Sequence, residues 1–243
     1  MKYLKYLILC VFIFSSCEKD NDDDTLFTLA SYINGQVYEL GAVIACAASD
    51  EISNEILTFY YLEEDASNIR FYETVNAEVD KLDFSKYIQV FLESEPFFNG
   101  DLGKFTQNGS VEKWIIITFE LHGEIKISNP IRSKQLSKPT VWTDAVTIDQ
   151  TESTMPDFMW EDNAVGDNAI YFQVISDHQN NLLSGTYTYE NHFQYYNISN
   201  VILNVTTQTP PALIVGNTYN FTLMDVSEDN WVNLVVLKMF ESQ

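Results

Sequence analysis

From residue 42 onward the chain runs in short stretches where apolar and polar residues alternate, each bounded by Gly, Pro, Asn, Asp or Ser. A period of two is the signature of a strand with one face in a core. In the first half it predicts strands over Ala42–Ala47, Ile56–Leu62, Ile69–Tyr72, Tyr87–Leu92, Trp114–Leu121 and Glu124–Ile127. Within Trp114–Leu121, Ile115, Ile117, Phe119 and Leu121 share one face, and Thr118 and Glu120 share the other. His122-Gly123 then turns the chain into Glu124–Ile127, so this pair reads as a hairpin. In the second half the pattern predicts strands over Ile170–Ile175, Val201–Thr206, Tyr219–Leu223 and Trp231–Phe240. Ile170, Phe172 and Val174 should point inward together, before a polar loop at Ser176–Asn181. No long stretch carries a helical period; Val79–Tyr87 comes nearest and reads as a loop or one short turn.

Many short strands without βαβ alternation argue for an all-β chain of paired antiparallel sheets. The stretch Lys134-Gln135-Leu136-Ser137-Lys138-Pro139-Thr140 is basic, polar and closed by proline, as a linker would be. It divides the body into two tandem β-sandwich domains, residues 27–136 and 139–243. Each matches the roughly 100 residues of a seven-stranded sandwich.

The segment Ala212-Leu213-Ile214-Val215-Gly216-Asn217-Thr218-Tyr219-Asn220-Phe221-Thr222-Leu223 is similar to the late-strand signature of fibronectin type III domains: a Leu, a Gly-containing turn, then Tyr-x-Phe. By that resemblance Leu213 caps the sandwich, Tyr219 is the tyrosine-corner residue, and Trp160 in Phe158-Met159-Trp160 is the early-strand core tryptophan. The segments Asp65–Glu73 and Ser128–Ile131 suggest a related, immunoglobulin-like sandwich in the first half, where no tyrosine corner stands out.

The first 24 residues break the pattern. Lys2 and Lys5 precede an apolar run, Leu7–Phe14, which ends in Ser15-Ser16-Cys17. A spanning helix needs roughly 20 apolar residues; a positive start, a short apolar core and small residues at its end mark a cleaved secretory signal. The ending resembles the lipobox of bacterial lipoproteins, with Phe14 where Leu is commoner. That resemblance makes residues 1–16 the signal peptide and Cys17 the acylated first residue of the mature chain, anchored in outer-membrane lipid. A single acyl chain binds only marginally, whereas several hold stably. Residues 17–26 then form an acidic, solvated tether. Acids directly after the lipidated cysteine resemble the surface-export signal of Bacteroidetes lipoproteins. The whole chain resembles two-domain surface lipoproteins of Flavobacteria, a family that carries over no activity.

Removal of residues 1–16 leaves 11 basic and 35 acidic residues, a formal net charge of −24. Such a field repels nucleic acid and bare anionic membrane. With Cys17 acylated, Cys46 has no disulfide partner, and its apolar surroundings, Val43–Ala48, give it the part of a small buried hydrophobe.

Catalytic chemistry is sparse. His122, His178 and His192 stand apart from one another and from any Cys, so no zinc-ligand spacing exists. No G-x-S-x-G elbow or glycine-rich phosphate loop occurs. With 35 acids, no carboxylate pair is informative as a glycosidase pair. The expectation is therefore a chain with no catalytic residues, no metal and no cofactor. Two pieces invite a binding reading. Trp160-Glu161-Asp162-Asn163 and Glu228-Asp229-Asn230-Trp231 each join an indole to acids and amides, although Asp and Asn also simply make turns. In Tyr187–Tyr196 the aromatic density exceeds what one buried face accommodates. Tyr189, Tyr195, Tyr196 and Trp231 are thus the candidate ligand surface. The expected function is a non-enzymatic binding or adhesion module for a glycan or another protein. The alternatives are a structural or accessory subunit of an outer-membrane assembly, and a secreted hydrolase.

Overall fold

The computed structural model describes residues 27–53, 55–161, 167–206 and 209–243; the signal, Cys17 and the whole acidic tether lie outside the described residues. The first half opens with a short helix α1 (Leu29–Ile33). The strands that follow are β1 (Tyr38–Val43), β2 (Ala45–Ser49), β3 (Glu55–Tyr61), β4 (Ser67–Glu73), β5 (Ile88–Val90), β6 (Glu95–Phe97), β7 (Leu102–Asn108), β8 (Trp114–Leu121), β9 (Glu124–Ser128) and β10 (Ile131–Arg132). The second half holds β11 (Val141–Thr143), β12 (Thr147–Asp149), β13 (Asp157–Met159), β14 (Asn168–Asp177), β15 (Leu182–Thr188), β16 (His192–Gln194), β17 (Val201–Asn204), β18 (Thr218–Ser227) and β19 (Val232–Glu241). The described residues are all-β apart from α1 and short 3₁₀ turns, one of which, Phe84–Lys86, falls in the segment read as a loop or turn.

Four sheets result. Sheet I runs β1-β9-β8-β4-β5 with β10 beside β8; sheet II runs β2-β3-β7-β6. Sheet III runs β11-β19-β18-β14-β15-β17, and sheet IV runs β12-β13-β16. They stack in the order I, II, III, IV, as the three apolar cores between them show. Ile56, Tyr60, Phe105 and Ile117 meet between sheets I and II. Phe59, Phe172, Met224 and Val235 meet between sheets II and III. Phe158, Tyr171, Phe221 and Val236 meet between sheets III and IV.

Strand β3 shows why the stack is continuous. Its Ile56 and Tyr60 face sheet I, while Leu57, Phe59 and Tyr61 face sheet III, so both sides are apolar. Strand β8 behaves likewise: Ile115, Ile117, Phe119 and Leu121 enter the core against sheet II as expected. Trp114 and Ile116 are buried on the opposite side, beneath Leu29 and Ile33 of α1. Thr28 caps that helix by accepting from the Ser31 amide at 3.1 Å. The Ile170–Phe172–Val174 face packs against the first half, and Tyr171 and Ile175 fill the core shared with sheet IV.

Two expectations change. The run Ala42–Ala47 is two strands, because the chain leaves sheet I at Val43 and enters sheet II at Ala45. Residues 134–140 join the halves without lying free. Gln135 is buried and its amide donates to Gly109 O at 3.1 Å. Lys134 and Lys138 both bond Asp167, and Lys134 also bonds Asp229. The β18–β19 turn reaches back across the junction. The Ala47 amide donates to Asn230 O, and the Arg132 amide donates to Asp229 O. Ser49 and Thr140 exchange backbone-to-hydroxyl bonds of 2.9 and 2.8 Å.

Candidate binding cleft

The four aromatic residues expected as a ligand surface do not assemble into one. Tyr189 is 62% exposed and Tyr196 is half-buried. Tyr195 and Trp231, in contrast, have no exposure. Tyr195 fills the core between sheets III and IV, where its hydroxyl donates to Pro211 O at 2.6 Å. Trp231 fills the core between sheets I and II, and its indole N–H donates to Lys138 O at 2.8 Å. Both rings have an apolar body with a single polar tip, and one backbone carbonyl satisfies that tip out of water. The alternation expected along Tyr187–Tyr196 fails because the strand ends at Thr188 and restarts at His192. Trp160 is also buried, and Asp162 and Asn163 lie outside the described residues. Asp229 and Asn230 form the β18–β19 turn, with Asn230 in the left-handed region at φ 61°. Cys17 lies outside the described residues.

The three histidines occupy separate elements: His122 the β8–β9 turn, His178 the β14–β15 turn and His192 strand β16. Among the described residues no group of three or more His, Cys, Asp or Glu converges. Tyr219 is buried, and its hydroxyl accepts from the Ile214 amide at 2.9 Å, with Leu213 buried beside it in the same core.

Two concavities lie where sheets II and III meet. One is a cavity of about 170 Å³ bordered by Cys46, Tyr187, Asn129 and Asn230. Cys46 Sγ is 4.0 Å from Met224 Sδ, and burial pushes its thiol up to about 12, so it is protonated and inert at neutral pH. The other is an open cleft of about 610 Å³. Phe59 and Met224 line both and form the partition between them.

The cleft gathers six separate stretches of chain. Phe97 comes from the end of β6, Phe98 from the β6–β7 connection, Trp142 from β11, and Leu237 and Met239 from the end of β19. Leu237 is 48% and Met239 69% exposed, so the apolar wall continues onto the surface. Trp142 is fixed by donating its indole N–H to Ser49 O at 2.9 Å. Phe98 and Asn99 hold φ of 46° and 53°. A bulky residue there is strained, and such strain gathers at ligand clamps. The Asn99 amide pins this turn by donating to Gln179 O and Asn181 Oδ1 at 3.0 and 2.6 Å. Ser176 is fully buried and its hydroxyl has no partner among the described residues, although buried polar groups are almost always bonded. It lies on the face of β14 that carries Phe172 and Val174, and it lines the cleft.

Among the described residues lining the cleft there is no Asp or Glu, but there are two lysines, Lys104 and Lys238. Each ammonium is paired with a more exposed carboxylate, Glu95 at 3.0 Å and Asp144 at 2.9 Å. Sequence reasoning missed this site because its wall is built from widely separated segments and forms no motif. The one local signal was Pro96-Phe97-Phe98, three apolar residues between acids, in a stretch that the period-two pattern passed over.

No family model matches the chain, and no curated protein is significantly similar to it. Among solved structures it is similar to the glycoside hydrolase domain of Endo-D from Streptococcus pneumoniae R6, at 10% identity and a TM-score of 0.31, over 82% of this chain and 33% of that one. It is also similar to the BSP domain of a biofilm-associated protein, at 16% identity and a TM-score of 0.28, over 82% of this chain and 29% of that one. The chain spans about a third of the length of these structures, and scores this low carry no argument on fold or activity.

Proposed function

We propose that the protein is a non-enzymatic lipoprotein of the outer membrane, held at the cell surface through acylated Cys17, whose four-sheet body binds a ligand in the cleft between sheets II and III. The observation that carries the binding reading is the cleft itself, an apolar concavity of about 610 Å³ at the junction of the two halves. Small-ligand sites are typically apolar, about 300–1,000 Å³, and common where two folded units meet. The buried core between sheets II and III supports a site that is formed before its ligand arrives.

Each half reads as an immunoglobulin-like or fibronectin type III-like sandwich, with residues 27–136 and 139–243 as the two units. The Tyr219 bond to the Ile214 amide supports this in the second half, because a tyrosine corner bonds backbone a few residues upstream. The fully buried Tyr195 and Trp231 turn attention from the tyrosine-rich segment to the cleft.

Two experiments test this. Cys17→Ala should release the protein from membranes, and a variant that still floats with them would refute the anchor. The uncharged dye N-phenyl-1-naphthylamine should bind with enhanced fluorescence and lose its site in Leu237→Asp. Absence of dye binding to the parent protein would refute the cleft as a binding site.

A further inference from the structure

We propose that the cleft takes a small anionic amphiphile: a linear or aromatic apolar body carrying one carboxylate, with a medium-chain fatty acid as the simplest member of the class. This inference rests on the cleft being a binding site and adds the chemistry of its ligand.

The apolar part follows from the walls. Leu237 and Met239 are exposed along one side, Phe97 and Phe98 stand opposite, and Phe59 and Met224 close the floor. A soluble chain gains by covering such a surface, and contiguous exposed apolar area usually marks an interaction site. Continuity with the buried core means that a flexible chain can extend inward until it meets the Phe59–Met224 partition.

The anionic part follows from the charges. The chain carries 35 acids against 13 bases, yet no described carboxylate lines this cleft and two lysines do. A ligand with an ammonium would find no counter-charge on the walls. A carboxylate would find Lys104 and Lys238. Their present partners, Glu95 and Asp144, are mostly exposed at 61% and 74% of the side chain, and exposed ion pairs hold weakly. A ligand carboxylate can therefore share or replace them.

Ser176 supplies the independent mark. Its hydroxyl is buried, lacks a partner among the described residues and lines the cleft. A hydroxyl in that position is satisfied by an acceptor brought in from outside. The strained Phe98–Asn99 turn at the mouth fits the same use, since a ligand can stabilise a conformation the chain adopts reluctantly.

The test uses residues 17–243 with Cys17→Ser, so that no acyl group competes, and measures displacement of N-phenyl-1-naphthylamine. Dodecanoate should displace the dye at concentrations at least about tenfold lower than dodecyltrimethylammonium. From octanoate to dodecanoate each added methylene should tighten binding by about fourfold until the cleft is full. Replacing both lysines, Lys104→Ala with Lys238→Ala, should weaken dodecanoate by about tenfold and leave uncharged dodecanol unchanged. Leu237→Asp should abolish dodecanoate binding without shifting the urea midpoint, because Leu237 is half exposed. If dye binds but carboxylate and ammonium displace it equally, the inference fails and the cleft remains. If dodecanoate binding survives Leu237→Asp, the fatty acid sits elsewhere and the inference also fails. If dye does not bind the parent protein, it is the underlying binding reading that fails.

Discussion

The two halves of the molecule repeat one wiring scheme and bury it differently. In each, the first strand runs parallel to the ninth, β1 to β9 and β11 to β19. The second strand crosses to the opposite sheet and pairs with the third, β2 to β3 and β12 to β13. The fourth returns beside the eighth, β4 to β8 and β14 to β18. The halves part at their sixth and seventh strands. In the first half both β6 and β7 join sheet II, which becomes four strands wide. In the second half β16 stays with sheet IV while β17 moves to sheet III, leaving sheet IV three strands of three residues each. Sheet III lies inside the stack and the narrow sheet IV at one edge, with the six-stranded sheet I at the other. Wiring sets which strands are neighbours; side-chain composition on the second face sets which sheets are sandwiched.

That distinction predicts how the halves respond to damage. The largest effect should come from Trp231→Ala. This ring belongs to the second half's β18–β19 connection yet fills the first half's core. Its loss should cost about 3–5 kcal/mol. If the halves form one cooperative unit, calorimetry should show a single transition moving down; two separating transitions would show that they unfold independently.

Next is Gly103→Ala on β7, where an added Cβ would run into the Tyr60 ring. Tyr60 is buried and held by a 2.6 Å hydroxyl contact with Ser94, so it has little room to yield. Overpacking of this kind costs about 1–3 kcal/mol. In the second half, Gly185→Ala on β15 meets the Val205 methyl at 2.6 Å and should cost less, because Val205 lies just past the end of the edge strand β17. Urea midpoints of the two variants give the comparison directly.

Tyr219→Phe should cost about 1 kcal/mol by leaving the Ile214 amide without its acceptor. An unchanged urea midpoint would remove the energetic basis for a tyrosine corner in the second half.

The smallest expected effect concerns the clasp between the halves. Burial raises the Asp167 carboxyl, but hydrogen bonds from Lys138 and Asn233 and the ammonium charges of Lys138 and Lys134 outweigh it, so the net shift is downward. A depressed carboxylate contributes stability above its ordinary value of 3.8, and that contribution disappears as pH falls through the lowered value. Asp167→Asn should therefore destabilise by less than about 1 kcal/mol near neutral pH, as exposed pairs do. The difference from the parent should vanish in acid. A difference that persists in acid would assign the effect to packing.

Strands that alternate were legible, and so was β8, whose limits Trp114–Leu121 match the pattern residue for residue. Strand β7, Leu102–Asn108, was passed over because only Leu102 and Phe105 are large and apolar, and they point to different cores. Strand β15, Leu182–Thr188, was hidden by its Ser, Gly and Thr residues, although most of it is buried. Helix α1 is five residues long and too short for a helical period to show. Of the candidate site residues, Tyr189 alone lies fully at the surface, since burial of an aromatic residue depends on what lies opposite and not on its neighbours in sequence. The cleft left almost no trace, because its walls come from both halves.

The amino-acid order by itself determined that this is a strand-built chain with a strongly acidic surface, because a period of two and an excess of carboxylates are local properties that no packing can alter. Only the tertiary structure decided that both faces of sheets II and III are buried and that a cleft free of described carboxylates opens between them. The physical reason is that an apolar second face on a strand states a need for cover without naming the cover. The partner is fixed only when residues far apart in the chain come to lie across from one another.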